Sequence, residues 1–463
     1  MPSPGRRYPG RIAHASVPGM TPKNEPTLAF LADLVARARK AGADAAEAVS
    51  NEAVSLSTRL RLGNTEKLER SEGIDLSLRV FVGNRVASVS SSDRSPQALE
   101  ALIERAIAMA RTVPEDPYAG LAAPDEIARN LPDLDLYDAT EPSAETMLDM
   151  ARRAEDAARA VPRVTNSEGA EASWHSSTGA RVASNGISFS LRQSGSSIAV
   201  SAIASEDSEM ERDDDWSSAV YLGDLRTPED IGASAGRRAV HRLGSRKAPT
   251  GQVPVIYDPR VSADILRHLT SAISGPSIAR GTSFLKDSLG KQIMPGSITV
   301  TDEPHKKRGL RSSPCDGEGM PNRRRAIIDK GMLTTWLLDL RSARQLKMKS
   351  TGHGGGGGGA SPTNLWIEPG SVTSAELISD VRRGLYVTEL IGMGVNGITG
   401  DYSRGAAGYW IENGELVWPV SEVTVASNLK SMFANLIAGN DLTFRTGIDA
   451  PSLRIDGMTV AGT

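Results

Sequence analysis

The sequence predicts an α+β protein: helix-plus-antiparallel-sheet units at the N-terminal end, followed by a β-rich C-terminal domain with inserted helices. Three observations predict it. Apolar positions switch repeatedly between the helical period of 3.6 and the strand period of two. Dipeptides that favour tight hairpins, Asn185-Gly186 and Asn413-Gly414, separate strand-like runs. At 463 residues the chain is also longer than one ordinary core accommodates, so two or three domains are expected.

Residues 1–24 carry Arg6, Arg7 and Arg11 and no acid, but Pro4, Pro9 and Pro18 break any amphipathic helix. A disordered extension is expected there, with Met20 as a second candidate start. A first domain is expected over 25–114. It opens with Leu28, Leu31, Leu34, Val35 and Ala38 at helical spacing, which Gly42 stops. Val54, Leu56, Thr58, Leu60 and Leu62 then alternate with polar residues, as do Ile74, Leu76, Leu78, Val80 and Val82, which reads as half-buried antiparallel strands. Ser95-Pro96 caps and opens a helix through Leu99, Leu102, Ile103 and Ala106.

The proline-rich bridge "VPEDPYAGLAAPDE" leads to a second α+β unit over 140–243, with a helix near 143–160, strands around Asn185-Gly186, and a helix opened by Thr227 and Asp230. The run "EDSEMERDDD", residues 206–215, holds seven acids in ten positions and lacks the spacing of a calcium loop, so a solvated hairpin tip is expected. After "GSRKAPTGQ" the β-rich domain occupies 250–463. "VPVIYDP" reads as a strand, residues 260–274 as a helix, and Asp329-Lys330-Gly331 joins the strands "RRRAII" and "MLTTWLLD".

Charge and cysteine usage narrow the partners. Lys+Arg 53 against Asp+Glu 56 gives a net charge of -3, which advertises neither nucleic acid nor an anionic membrane. "PNRRRAI" sets three arginines on alternating sides of a strand, a weak nucleic-acid patch. No apolar run approaches the ~20 residues that cross a bilayer. Cys315 is the only cysteine, which forbids an intrachain disulfide and fits a reducing cytoplasm.

The catalytic vocabulary is thin. None of the six histidines, His14, His175, His241, His268, His305 and His353, precedes a glutamate, so the helix that brings two imidazoles and a base to one zinc is not encoded. Asp264 and His268, four apart on a predicted helix, share a face and form the nearest approach to a metal pair. There is no nucleophile elbow around a serine, and Cys315 in "SSPCDGEG" has no motif that supplies a base. The stretch "STGHGGGGGGASP", residues 350–362, sets Gly354 to Gly359 behind His353. It lacks the Lys and Ser or Thr of a phosphate loop and runs into a strand rather than a helix. A mobile surface loop and a floor for a closely approaching backbone both remain open.

Several stretches together resemble the TldD/PmbA family, also known as modulators of DNA gyrase: "GADAAEA", "ERSEGIDLSLRVFVGNRVASVSSSD", "CDGEGMPNRRRAIIDKGMLTTWLLDLRSARQLKMKSTG", "SEVTVASNL" and "GNDLTFRTGIDAPSLRIDGMTVAGT". The resemblance spans nearly the whole chain from about residue 27. In the TldD branch a His-Glu-x-x-x-His helix and a Cys near the C-terminus bind zinc; the PmbA (TldE) branch lacks them and pairs with it. The matching helix here is "RVSADILRHLTSAISG", which leads into "IARGTSF", holds one histidine and no glutamate, and has Leu266 where the first ligand is expected. The chain thus resembles the PmbA branch.

That resemblance implies no catalytic residue and no cofactor in this chain. Zinc is expected in a TldD-like partner subunit of a heterodimer, and peptides or unfolded proteins are the expected substrates. It also implies that His353, Gly354, Gly355, Gly356, Gly357, Gly358 and Gly359 form a substrate- or partner-facing loop, since the family has a Ser-Thr-Gly-Asn-rich loop there. Two other readings stay open: a stand-alone metallopeptidase using Asp264, His268 or His353, and a non-enzymatic peptide-binding or scaffold protein.

Overall fold

The computed structural model describes residues 25–462, so the expected extension at 1–24 and the choice of Met20 as start lie outside the described residues. The described residues open with α1 (Glu25–Lys40), β1 (Ala45–Arg61), β2 (Asn64–Val82), β3 (Arg85–Ser91) and α2 (Pro96–Thr112). It continues through α3 (Ala144–Arg159), β4 (Val164–Ala183), β5 (Ser188–Glu206), β6 (Glu209–Ala219) and α4 (Pro228–His241). Local chemistry sets these boundaries. Ser95, Ser143 and Thr227 each accept a backbone N–H of the first helical turn, and Pro96 and Pro228 sit where a missing N–H costs nothing.

The two N-terminal units share one sheet. Its order is β3-β2-β1-β4-β5-β6, and β1 pairs with β4 from Glu47 opposite Ala183 to Leu60 opposite Ala170. Helices cover one face of that sheet in two separate pairs. α1 and α2 bury Ala46, Ala48, Leu76 and Leu78, while α3 and α4 bury Leu56, Leu60, Ala170 and Ala172. α4 lies so close to α3 that a Cβ on Gly232 or Gly236 would overlap the carbonyls of Ala154 or Ala158. Between the helix pairs the sheet stays uncovered by any helix.

The C-terminal part comprises β7 (Gly251–Tyr257), α5 (Pro259–Ala272), α6 (Gly275–Ala279), β8 (Val300–Glu303), β9 (Arg325–Asp329), β10 (Met332–Leu333), α7 (Leu340–Gln345), β11 (Asn364–Ile367) and α8 (Ser374–Ser379). Then follow β12 (Arg383–Val395), β13 (Asp401–Glu412), β14 (Glu415–Asn428), α9 (Leu429–Ala434), β15 (Leu436–Ala438), β16 (Ile448–Asp449) and β17 (Leu453–Ala461). One sheet runs β14-β13-β12-β7-β17-β15, and an added β14–β17 pairing closes five of its strands into a ring. The other runs β10-β9-β8-β11-β16. A common core joins Tyr257, Leu266, Leu269, Ile327, Leu365, Trp410 and Phe433, so α5 is packed into the domain's centre.

The stretch "MLTTWLLD" departs from expectation. Only Met332 and Leu333 pair as a strand; the chain then turns inward, burying Trp336, Leu337 and Leu338, and Asp339 accepts the Ser342 N–H to start α7. Apolar content alone does not distinguish an edge strand from a buried connection.

Candidate functional site

The β7–α5 turn sets up the first candidate site. Asp258 caps α5 by accepting the Arg260 N–H, and the helix then presents Asp264 and His268 one turn apart. The i,i+4 pairing predicted from sequence forms, with His268 Nε2 3.0 Å from Asp264 Oδ2. A third residue, from β13, joins them: Arg404 Nη1 donates to the same Oδ2 at 2.8 Å. Burial pushes the Asp264 carboxyl up, but the His268 hydrogen bond and the Arg404 and Arg267 charges outweigh it and hold the group below the usual carboxylate range. Tyr402 packs edge-on against His268, and burial raises its hydroxyl to about 12.

This arrangement does not fit a divalent metal. Asp264 is neutralised by a guanidinium that would repel a dication, and Leu266 is buried in the core. His353 does not reach the pair: its Nδ1 meets Thr351 Oγ1 at 2.8 Å and its Nε2 lies 3.3 Å from Asp302 of β8. Among the described residues no three His, Cys, Asp or Glu side chains gather where they could hold a metal ion. Zinc and tetrahedral ligation need three protein ligands at least.

Beside α5 lies a strand segment with open backbone. β7 pairs with β12 only as far as Val387, and no described strand takes its place along Thr388–Val395. A bulge in the ladder to β13 skips Gly392 and Met393. Ile391, Met393 and Ile398 are 57%, 85% and 64% exposed there. Arg404 ties this segment to the helix, since its Nε reaches the Ile391 carbonyl at 3.4 Å.

The glycine run sits elsewhere, on the helix-free face of the N-terminal sheet. Glu47 of β1 holds Arg79 and Arg181 at 2.5 and 3.1 Å, and the two guanidiniums donate to the carbonyls of Gly356 and Gly317. His353 and Gly354 are buried and so lie apart from the exposed face. A Cβ at Gly354 would overlap the Glu318 carboxylate, and one at Gly356 the Gly317 carbonyl. Gly357, Gly358 and Gly359 have open space around them. The run is thus half a close-packed joint and half a free tip, which its uniform sequence conceals.

Other expectations also sort out. Cys315 is buried, and burial raises its thiol to about 12, far from a reactive thiolate. The acidic run is corrected: only its start is a solvated tip. Asp213 and Asp215 lie on one side of β6 and are buried, Asp215 between Arg226, Arg238 and Arg445 and Asp213 against Arg260. Strand alternation, with Arg238 in the last turn of α4 and Arg242 capping that helix, was the signal for this. Of the "RRR" run, Arg325 donates to the Thr351 carbonyl and Arg324 lies 3.7 Å from both Glu303 and Glu368.

Comparison with known proteins decides the family. PmbA/TldA metallopeptidase domain 1 matches residues 46–110, the central domain 137–243 and the C-terminal domain 250–462. The chain belongs to the PmbA/TldD family. It is 42% identical over 424 residues to Metalloprotease PmbA of Escherichia coli O157:H7, covering 90% of this chain and 92% of that one. A Metalloprotease PmbA homolog of Haemophilus influenzae is 37% identical, covering 92% and 94%. Among solved structures, a modulator of DNA gyrase from Bacteroides thetaiotaomicron superposes with a TM-score of 0.88 at 28% identity, over 96% of this chain and 100% of that one. TldE from Thermococcus kodakarensis, at 20% identity, shares the fold with a TM-score of 0.84 over 94% and 100%. The family boundaries cut the N-terminal sheet between β3 and β4, so two of the PmbA/TldD domains meet along the β1–β4 pairing.

Proposed function

We propose that this chain is the accessory subunit, without a metal of its own, of a TldD/TldE-type zinc peptidase acting on peptides or unfolded proteins in the cytoplasm. One observation carries the reading: Arg404 occupies Asp264 on the helix where the resemblance places the zinc ligands. The chain's contribution is then to bind and orient. The open backbone of Thr388–Val395 offers an extended peptide hydrogen-bonding partners, and Ile391 and Met393 offer it apolar contact. No helix among the described residues is long and apolar enough to cross a membrane.

The test is reconstitution. The purified chain should carry less than a stoichiometric amount of zinc and leave an unfolded polypeptide intact, and a TldD-like zinc subunit should cleave faster when this chain is added. One tightly held zinc per chain, lost in His268→Ala, would restore the stand-alone metallopeptidase. Peptide binding without any stimulation of the zinc subunit would favour a non-enzymatic peptide-binding protein, the reading that the open strand edge also supports.

A further inference from the structure

The uncovered strip between the two helix pairs is a cleft of about 630 Å³. Strand register makes its floor a grid. One row runs Arg192, Thr178, Glu52, Ile74 across β5, β4, β1 and β2; the next runs Ser194, Ser176, Val54, Glu72; the third runs Ser196, Trp174, Leu56, Arg70. Rows lie two residues apart on one face, about 7 Å, and strands about 5 Å apart. Tyr137, Ala139 and Glu141, from the segment joining α2 to α3, form a wall.

Three features of this cleft lack an internal explanation. Trp174 is 4% exposed and lines the cavity, while its Nε1 and the Oγ of its cross-strand neighbour Ser196 are both enclosed beneath the surface without a hydrogen-bond partner among the described residues. Arg192 stacks on Tyr137, its guanidinium carbon 3.7 Å from the ring centroid, and has no carboxylate partner among the described residues. At the other end, three carboxylates share two guanidiniums: Glu52 pairs with Arg94, while Glu72 and Glu141 both pair with Arg70. The cleft therefore presents a spare positive charge at one end and a spare negative charge at the other.

We infer that this cleft binds a short extended peptide, with its free C-terminal carboxylate on Arg192 and its N-terminal ammonium toward Glu52, Glu72 and Glu141. Two to three extended residues span about 7–10 Å, which matches two strand spacings between Arg192 and Glu52. The hydroxyls of Ser176 and Thr178 serve the peptide groups between. Such a peptide is what proteolysis yields, so the site takes product-sized molecules and rests on the proposed function only for that biological meaning. Binding itself needs neither the zinc subunit nor cleavage.

The test is calorimetric titration of the full chain alone with trialanine, trialaninamide and N-acetyl-trialanine. Trialanine should bind with a Kd of about 1 mM or tighter, and the amide at least about tenfold more weakly, because it forfeits the charged hydrogen bonds of Arg192. Arg192→Met, at a half-exposed position, should abolish the preference for the free acid over the amide. N-acetyl-trialanine, which lacks the ammonium, should bind at least about threefold more weakly than trialanine, and the melting temperature of Arg192→Met is recorded as a check on folding. Equal binding of acid and amide, no heat at about 10 mM, or a free-acid preference that survives in Arg192→Met would each overturn the proposal. Failure of reconstituted cleavage would leave these titrations unchanged, so the two readings fail separately.

Discussion

Arg404 and His268 meet the same oxygen, Asp264 Oδ2, at 2.8 and 3.0 Å, one from a strand and the other from the helix that carries the acid. The carboxylate is thus held by a full positive charge and by an imidazole, in a partly buried setting. Arg404→Met should cost about 2–3 kcal/mol in urea denaturation, because Asp264 then stays partly buried without its cation. The double variant Arg404→Met with Asp264→Leu should recover at least half of that loss. A double variant as unstable as the single one would show that Arg404 acts through packing instead.

Within the glycine run, position decides tolerance. Gly354→Ala should destabilise by about 2 kcal/mol, since its Cβ has no room beside Glu318, and Gly356→Ala should do the same against Gly317. Gly357→Ala meets open space at an ordinary φ and should fall within about 0.5 kcal/mol of the parent in thermal melts. Uniform tolerance across the run would mean that it is a linker.

Much of the fold was legible because its signals are local. The capping serines, the hairpin dipeptides and the period-two apolar runs each act within a few residues, and they predicted α2, α4 and the long strands of the first sheet. The Asp264–His268 pair was legible for the same reason. Arg404 was not, because it reaches Asp264 across 140 residues of sequence and no periodic pattern encodes that meeting. The division of the glycine run was equally hidden: the residues that fix Gly354 and Gly356, namely Glu318, Gly317, Arg79 and Arg181, arrive from three other segments. The burial of Asp213 was obscured by composition, which reads as solvated until strand alternation is imposed on it.

Glu318, beside that joint, should give the protein a pH-dependent stability. Burial pushes its carboxyl up to about 7 against a Leu340 N–H that favours the charged form, and the neighbouring Asp316 and Asp339 charges add to the rise. A carboxyl whose folded pKa lies above its ordinary 4.5 contributes stability below that ordinary value and loses it as pH rises toward 7. Glu318→Gln should therefore stabilise the protein above pH ~7 by about 2 kcal/mol and flatten the stability profile between pH ~4.5 and ~7. Gln can still accept the Leu340 N–H, so the loop geometry is kept. A variant less stable than the parent at pH ~8 would refute the assignment.

The open segment of β12 gives the proposed function its sharpest test. Ile391 and Met393 point their side chains into solvent, so changing both to Lys removes apolar contact without emptying the core, and stability should move by less than about 0.5 kcal/mol. Charged lysines are also the means by which strand edges resist pairing with another chain. If an extended peptide lies along Thr388–Val395, cleavage by the reconstituted pair should fall about tenfold, through a higher KM at an unchanged amount of complex. A control at Met210, 73% exposed on the tip of the β5–β6 hairpin, should leave turnover as it was when changed to Lys. Loss of the complex itself in Ile391→Lys/Met393→Lys would instead make this strand the subunit contact. Unchanged turnover by an intact complex would remove β12 from substrate binding, and the peptide would then have to be held by the zinc-bearing subunit alone.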